Sequence, residues 1–175
     1  MKRLPGCPTL VLIAALAGSA AAQDIPKGFD LFAELGQGFA RPPGGPTLYL
    51  GTLQVVPQWT VVPDRLRAGL VLGALYPGTA VGGLAGGRLT LKVLSGPGFM
   101  LAKSFHVNLQ GEYLPVVRAG DGWRQWAGLG LGLESSNLLS LNFRVHRDFG
   151  QPATYGQMAV GFNLRFRRTL PPKEL

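Results

Sequence analysis

Ser104, His106 and Glu112 supply the three side-chain types of a serine hydrolase, and an extended chain places all three on one face because their separations are even. A serine nucleophile needs a base within about 3 Å, itself oriented by a third group. Ser104 and His106 meet the first condition as neighbours on one strand face. Glu112 fails the second, because six residues at about 3.3 Å each set it roughly 20 Å beyond His106. These residues read as the polar filling of an interior, and no catalytic residue is assigned. His146, close to Trp126, Arg144 and Asp148, reads the same way, as a satisfied interior histidine. The two histidines stand far apart and the single cysteine is Cys7, so no zinc-ligand set is present. Gly128, Gly130 and Gly132 alternate inside an extended segment with no Lys-Ser/Thr pair after them, so they do not form a phosphate loop. No cofactor is expected.

The element that positions His146 is the clearest in the chain. Across residues 138–149, Leu139, Leu141, Phe143 and Val145 fall on one face of a strand, and Ser140, Asn142, Arg144, His146 and Asp148 on the other. Similar alternation predicts eight strands: Phe29–Phe39, Leu48–Val56 (weakly alternating), Arg65–Tyr76, Gly87–Leu94, Ser104–Tyr113, Trp123–Glu134, Leu138–Phe149 and Tyr155–Phe166. Turn clusters separate them at Arg41–Pro46, Pro57–Asp64, Pro77–Gly86, Ser95–Gly98, Pro115–Gly122, Ser135–Asn137 and Gly150–Ala153. No stretch has helical periodicity of helix length.

A three-residue turn at Ser135–Asn137 sets the sixth strand against the seventh. Leu133 then faces Leu139, Leu131 faces Leu141, Leu129 faces Phe143 and Arg124 faces Asp148, while Gly128 gives room to Arg144. The collected polar faces hold Asp30, Glu34, Arg67, Arg88, Lys92, His106, Glu112, Arg124, Arg144, His146, Asp148 and Arg165. Both signs are present, so enclosed charges can pair. Glu112, Arg124, Arg144, His146 and Asp148 are the expected charge network. Leu129, Leu131, Leu141 and Phe143 are the expected lipid-facing set. Tyr76, Tyr113, Trp123, Phe149, Tyr155, Phe162 and Phe166 lie at predicted strand ends, where aromatic girdles belong.

The chain begins like an exported protein. Lys2 and Arg3 precede the apolar run Leu10–Ala17, and Ala20–Ala22 offers small residues for cleavage before Gln23. Residues 1–22 are therefore read as a cleaved signal peptide, leaving 175 − 22 = 153 residues without cysteine. Without Lys2 and Arg3, 15 of the 17 basic residues remain against 9 acidic ones, a net charge of +6. Export makes anionic lipid a better partner for that charge than nucleic acid. Charged residues are 15% and hydrophobic ones 46%, with 26 glycines, yet no second run of about 20 apolar residues occurs. Such apolarity without a spanning helix fits a barrel whose apolar residues occupy alternate positions.

Together the signal, the eight alternating strands, the mixed-charge face and the aromatic last strand resemble the small eight-stranded outer-membrane β-barrels. The resemblance covers about Phe29 to Phe166. It implies an all-β, closed, antiparallel up-and-down barrel that spans the membrane, over residues 23–166. A basic tail, 167–175, follows Phe166, where the last strands of that class commonly end. The implied role is non-enzymatic, with a side-chain-plugged lumen and a structural or interaction task toward outer-membrane lipid or an envelope protein. Loops Pro77–Gly86 and Pro115–Gly122 would face outward. A soluble periplasmic barrel with apolar faces inward around a lipid is the alternative. A lipid-modifying barrel hydrolase acting through Ser104 and His106 is a further one.

Overall fold

Period-two alternation becomes eight strands among the described residues, each hydrogen-bonded to its chain neighbours, with the first also paired to the last. The computed structural model describes residues 28–42, 44–77, 81–97, 104–118, 122–135, 138–151 and 153–164. The expected signal peptide 1–22, Arg165, Phe166 and the tail 167–175 lie outside them. The strands are β1 (Phe29–Arg41), β2 (Leu48–Val62), β3 (Leu66–Pro77), β4 (Gly82–Pro97), β5 (Ser104–Arg118), β6 (Gly122–Ser135), β7 (Leu139–Asp148) and β8 (Thr154–Asn163). The sheet closes as an antiparallel up-and-down barrel, so no edge is left unpaired. The start of β1 and the end of β8 share one end of the barrel, called here the terminal end.

Several strands outrun their sequence signals. Pro57–Val62 was expected as turn but continues β2, and Gly82–Gly86 and Pro115–Arg118 extend β4 and β5. The reason is local. The β2–β3 ladder leaves Val56 and Pro57 unpaired without a change of register, and the β4–β5 ladder does the same at Leu114 and Pro115. A proline at such a gap removes one donor without stopping the strand. The β2–β3 turn contracts to residues 63–65, with Asp64 in the left-handed region at φ 57°. The two expected outer loops contract to residues 78–81 and 119–121, so loop length no longer distinguishes one end from the other.

The β6–β7 register also differs from expectation. Leu133 faces Leu141 and Ser135 faces Leu139, because the turn occupies residues 136–138, with Leu138 N donating to Ser135 O at 2.9 Å. Each strand moves by one residue in opposite directions, so every side chain keeps its face and the period-two rule cannot separate the two registers. Gly130 rather than Gly128 now opposes Arg144, and Gly128 opposes His146. A register shift at Lys92/Leu94 leaves Val93 unpaired in β4, so Leu94 takes the outward position that alternation gave to Val93.

The faces separate sharply. Outward lie Leu35, Leu53, Leu70, Leu72, Leu89, Leu109, Leu129, Leu131, Phe143 and Phe162, all exposed. Inward lie the buried charges together with Gly128, Gly130 and Gly132. Where β6 passes β7 the lumen leaves no room for a methyl group. A Cβ at Gly128 would stand 2.3 Å from His146 Cδ2, whereas a Cβ at outward Gly156 would meet nothing within 4 Å. Gly128→Ala should therefore lower unfolding stability by about 1–3 kcal/mol through overpacking, and Gly156→Ala should leave it nearly unchanged, as read by urea unfolding in detergent.

A buried ionic cluster in the lumen as candidate functional site

The arginine at the centre of the lumen is Arg88, contributed by β4. Directly opposite on β5 is Glu112, and Arg88 Nε donates to its Oε1 at 2.5 Å. The guanidinium fork reaches across the lumen to β1, where Nη1 and Nη2 donate to Glu34 at 2.6 and 2.9 Å. Arg144 of β7 donates to the second Glu34 oxygen at 2.5 Å, to Gln110 at 3.0 Å and to Gln54 at 3.3 Å. His146 Nε2 donates to Glu112 Oε2 at 2.7 Å. Two arginines and two carboxylates thus share a ring of charge-assisted bonds, with glutamines taking the remaining donors. All four charged side chains are at most 2% exposed.

Toward the terminal end, Arg67 holds Glu134 with both terminal nitrogens, and Asn108 adds a bond to Glu134 at 3.1 Å. Arg67 also stands 3.9 Å from Asp30 and 5.8 Å from the ring centre of Phe32, in a cation–π contact. At the opposite end Asp148 accepts from Trp126 Nε1 at 3.2 Å, Arg124 at 3.4 Å and Tyr155 at 3.4 Å. It also caps the β7–β8 connection through the backbone N–H groups of Gly150 and Gln151. Trp126 and Tyr155 stack with ring centres 4.1 Å apart.

The five expected network residues therefore fall into two groups. Glu112, Arg144 and His146 meet at mid-height, and Arg124 and Asp148 meet at the far end. Glu34, Arg88, Gln54 and Gln110 join the first group although sequence reasoning did not place them in it. Arg88 meets Glu112 across the β4–β5 hairpin, 24 positions away, whereas Glu34 lies 54 and 110 positions from Arg88 and Arg144, and only barrel closure brings those together. A second finding is an apolar packing layer between the ionic cluster and the far end, formed by Leu50, Val71, Leu75, Leu84, Leu114 and Val116. Its signal was present where both faces turn apolar, as at Leu70-Val71-Leu72 and Val116-Val117.

Ser104, His106 and Glu112 do not assemble. Glu112 is committed to Arg88 and His146, and neither ring nitrogen of His106 has a hydrogen-bond partner. Among the described residues no group of three His, Cys, Asp or Glu side chains could hold a metal ion. The expected lipid-facing residues all point outward; Leu129 is 77% exposed, Leu131 52% and Phe143 44%, with Leu141 half-buried. Two expected girdle residues are misplaced. Tyr155 points inward onto Trp126, and Tyr113 lies within β5, because that strand runs on to Arg118. Phe39, Tyr49, Tyr76, Trp123 and Phe149 stand outward toward the far end, and Trp59, Phe105 and Phe162 toward the terminal end.

No protein-family model and no curated protein matches the chain. Among solved structures it is similar to a de novo designed transmembrane β-barrel, at 12% identity and a TM-score of 0.50, over 81% of this chain and all of that one. It is also similar to Ail, the attachment invasion locus protein of Yersinia pestis, at 8% identity and a TM-score of 0.45, over 79% of this chain and 98% of that one. At such identities the likeness concerns the fold, an eight-stranded closed antiparallel barrel.

The ionic cluster gives a direct test. Arg88→Met would leave Glu112 and Glu34 buried with one guanidinium fewer. Breaking a buried pair from one side should cost about 3–5 kcal/mol, read as a drop in the urea midpoint.

Proposed function

We propose that this chain is a non-enzymatic barrel of an outer membrane, with a lumen closed by its own side chains and a structural or interaction role in the cell envelope. The carrying observation is the inside-out distribution of polarity. Arg67, Arg88, Arg144, Glu34, Glu112, Glu134 and Asp148 are buried in the lumen, while the outer surface is an almost continuous field of leucine, valine and aromatic side chains. A water-facing exterior of that composition would be a large exposed apolar surface, whereas lipid removes the conflict. The soluble alternative required apolar faces inward and charged faces outward, and the barrel has the reverse arrangement. The hydrolase alternative required Ser104 and His106 to act with an orienting acid, and Glu112 is engaged elsewhere.

A sealed lumen follows from the same geometry. The paired arginines and carboxylates fill the middle, and the apolar layer of Leu50, Leu75, Leu84 and Leu114 lies beyond them. Small-molecule passage would have to displace both. Outer-membrane lipid is the partner for the exterior. A protein partner would meet the short connections 78–81 and 119–121 at the far end, or the basic segment 167–175. Exported from its own signal, the protein should fractionate with outer membranes. Its band in SDS gels should shift on boiling, and in planar bilayers the purified barrel should give no stable conductance steps. Recovery as a soluble periplasmic protein with no heat-dependent shift would overturn the proposal.

A further inference from the structure

A small cavity lies in the terminal-end half of the lumen, with a volume of about 10 Å³. Gln58, Arg67, Thr90 and Asn108 line it, one from each of the consecutive strands β2, β3, β4 and β5. All four are more than nine-tenths buried. Each has one polar atom without a hydrogen-bond partner: Gln58 Oε1, Arg67 Nε, Thr90 Oγ1 and Asn108 Oδ1. Arg67 and Asn108 spend their other donors on Glu134, so these atoms are what remains after the ion pair is made. A lone orphaned group can be a local misfit. Four of them on residues that line one space call for a ligand.

The chemistry selects that ligand. Arg67 Nε–H is a donor, Gln58 Oε1 and Asn108 Oδ1 are acceptors, and the Thr90 hydroxyl can act either way. A cation would meet the Arg67 guanidinium, and an anion would meet carbonyl lone pairs beside the Glu134 carboxylate. An apolar guest would satisfy none of the four. A water molecule accepts from Arg67 Nε and donates to two of the oxygens, and a cavity of this size holds about one. We infer that this cavity is a binding site for a single ordered water, which ties β2, β3, β4 and β5 together. It also fixes the side of the Arg67 guanidinium that Glu134 leaves unbound. The inference concerns the interior alone and stands whichever solvent surrounds the barrel.

The test uses the full chain, labelled with ¹⁵N and refolded in detergent micelles. A water-to-protein cross-relaxation peak at the Arg67 Nε–H resonance, with the sign of a water held longer than nanoseconds, is expected. Its absence overturns the site. Thr90→Val gives an independent reading, because it removes the hydroxyl and keeps the shape. If water is bound, the variant deprives it of a partner, and the urea midpoint should fall while the cross peak weakens. If the cavity is dry, valine replaces an orphaned hydroxyl, the midpoint should rise, and the inference fails.

Discussion

Everything in this barrel depends on the requirement that charges removed from water be paired. Eight strands enclose a lumen only wide enough for side chains, so whatever points inward is buried whether polar or not. Arg88 shows how the requirement is met. It takes Glu112 from the adjacent strand and Glu34 from across the lumen, and Arg144 closes the ring by pairing with Glu34 and standing 3.4 Å from Glu112. Removing any one member strands the others. The cluster thereby fixes which strands face each other across the lumen, in addition to the backbone ladder that fixes neighbours. The pairing selects one closed arrangement and adds little net stability, since desolvation offsets much of the attraction.

The glycines are the other half of the same constraint. Bulky interior groups such as Arg144, His146 and Gln110 fit because β6 presents Gly128, Gly130 and Gly132 beneath them. The stripe looks like a loop motif in the sequence and acts as empty volume in the fold. Gly161 on β8 serves Ser140 and Glu34 similarly. Beyond the ionic cluster the interior changes character, and packing of Leu50, Val71, Leu75, Leu84 and Leu114 replaces pairing. The interior is thus filled by two kinds of interaction, ion pairing at mid-height and apolar packing beyond it.

The eight strands and their faces were legible because period two is local: Arg144 and Phe143 announce opposite sides from their immediate neighbours alone. Register was less so. A shift of two between β6 and β7 preserves every face, and only the backbone ladder, with the turn bond from Leu138 to Ser135, decides it. Strand ends were misjudged at Pro57 and Pro115, where a turn signal coincides with a tolerated gap in the ladder. Of the site, the residues on one hairpin were readable; Arg124 does reach Asp148, although Trp126 rather than Arg124 stands directly opposite it. Glu34 and Arg88 were visible as inward charges, but their partnership spans 54 positions and exists only once the barrel closes. Tyr155 lies near a strand end, as an interfacial aromatic would, but it is out of phase with outward Met158 and falls on the inward face with Gln157.

The orientation of the two faces, apolar toward lipid and ionic toward the lumen, can be read from the protein's own tryptophans. Trp59 points outward and Trp126 inward. Two single-tryptophan forms, each keeping one of these and carrying phenylalanine at the other tryptophan positions, would be refolded into bilayers whose acyl chains carry bromine. Trp59 fluorescence should be strongly quenched relative to unbrominated lipid, and Trp126 fluorescence should be almost unchanged. Equal quenching of both, or quenching of Trp126 alone, would contradict the arrangement described.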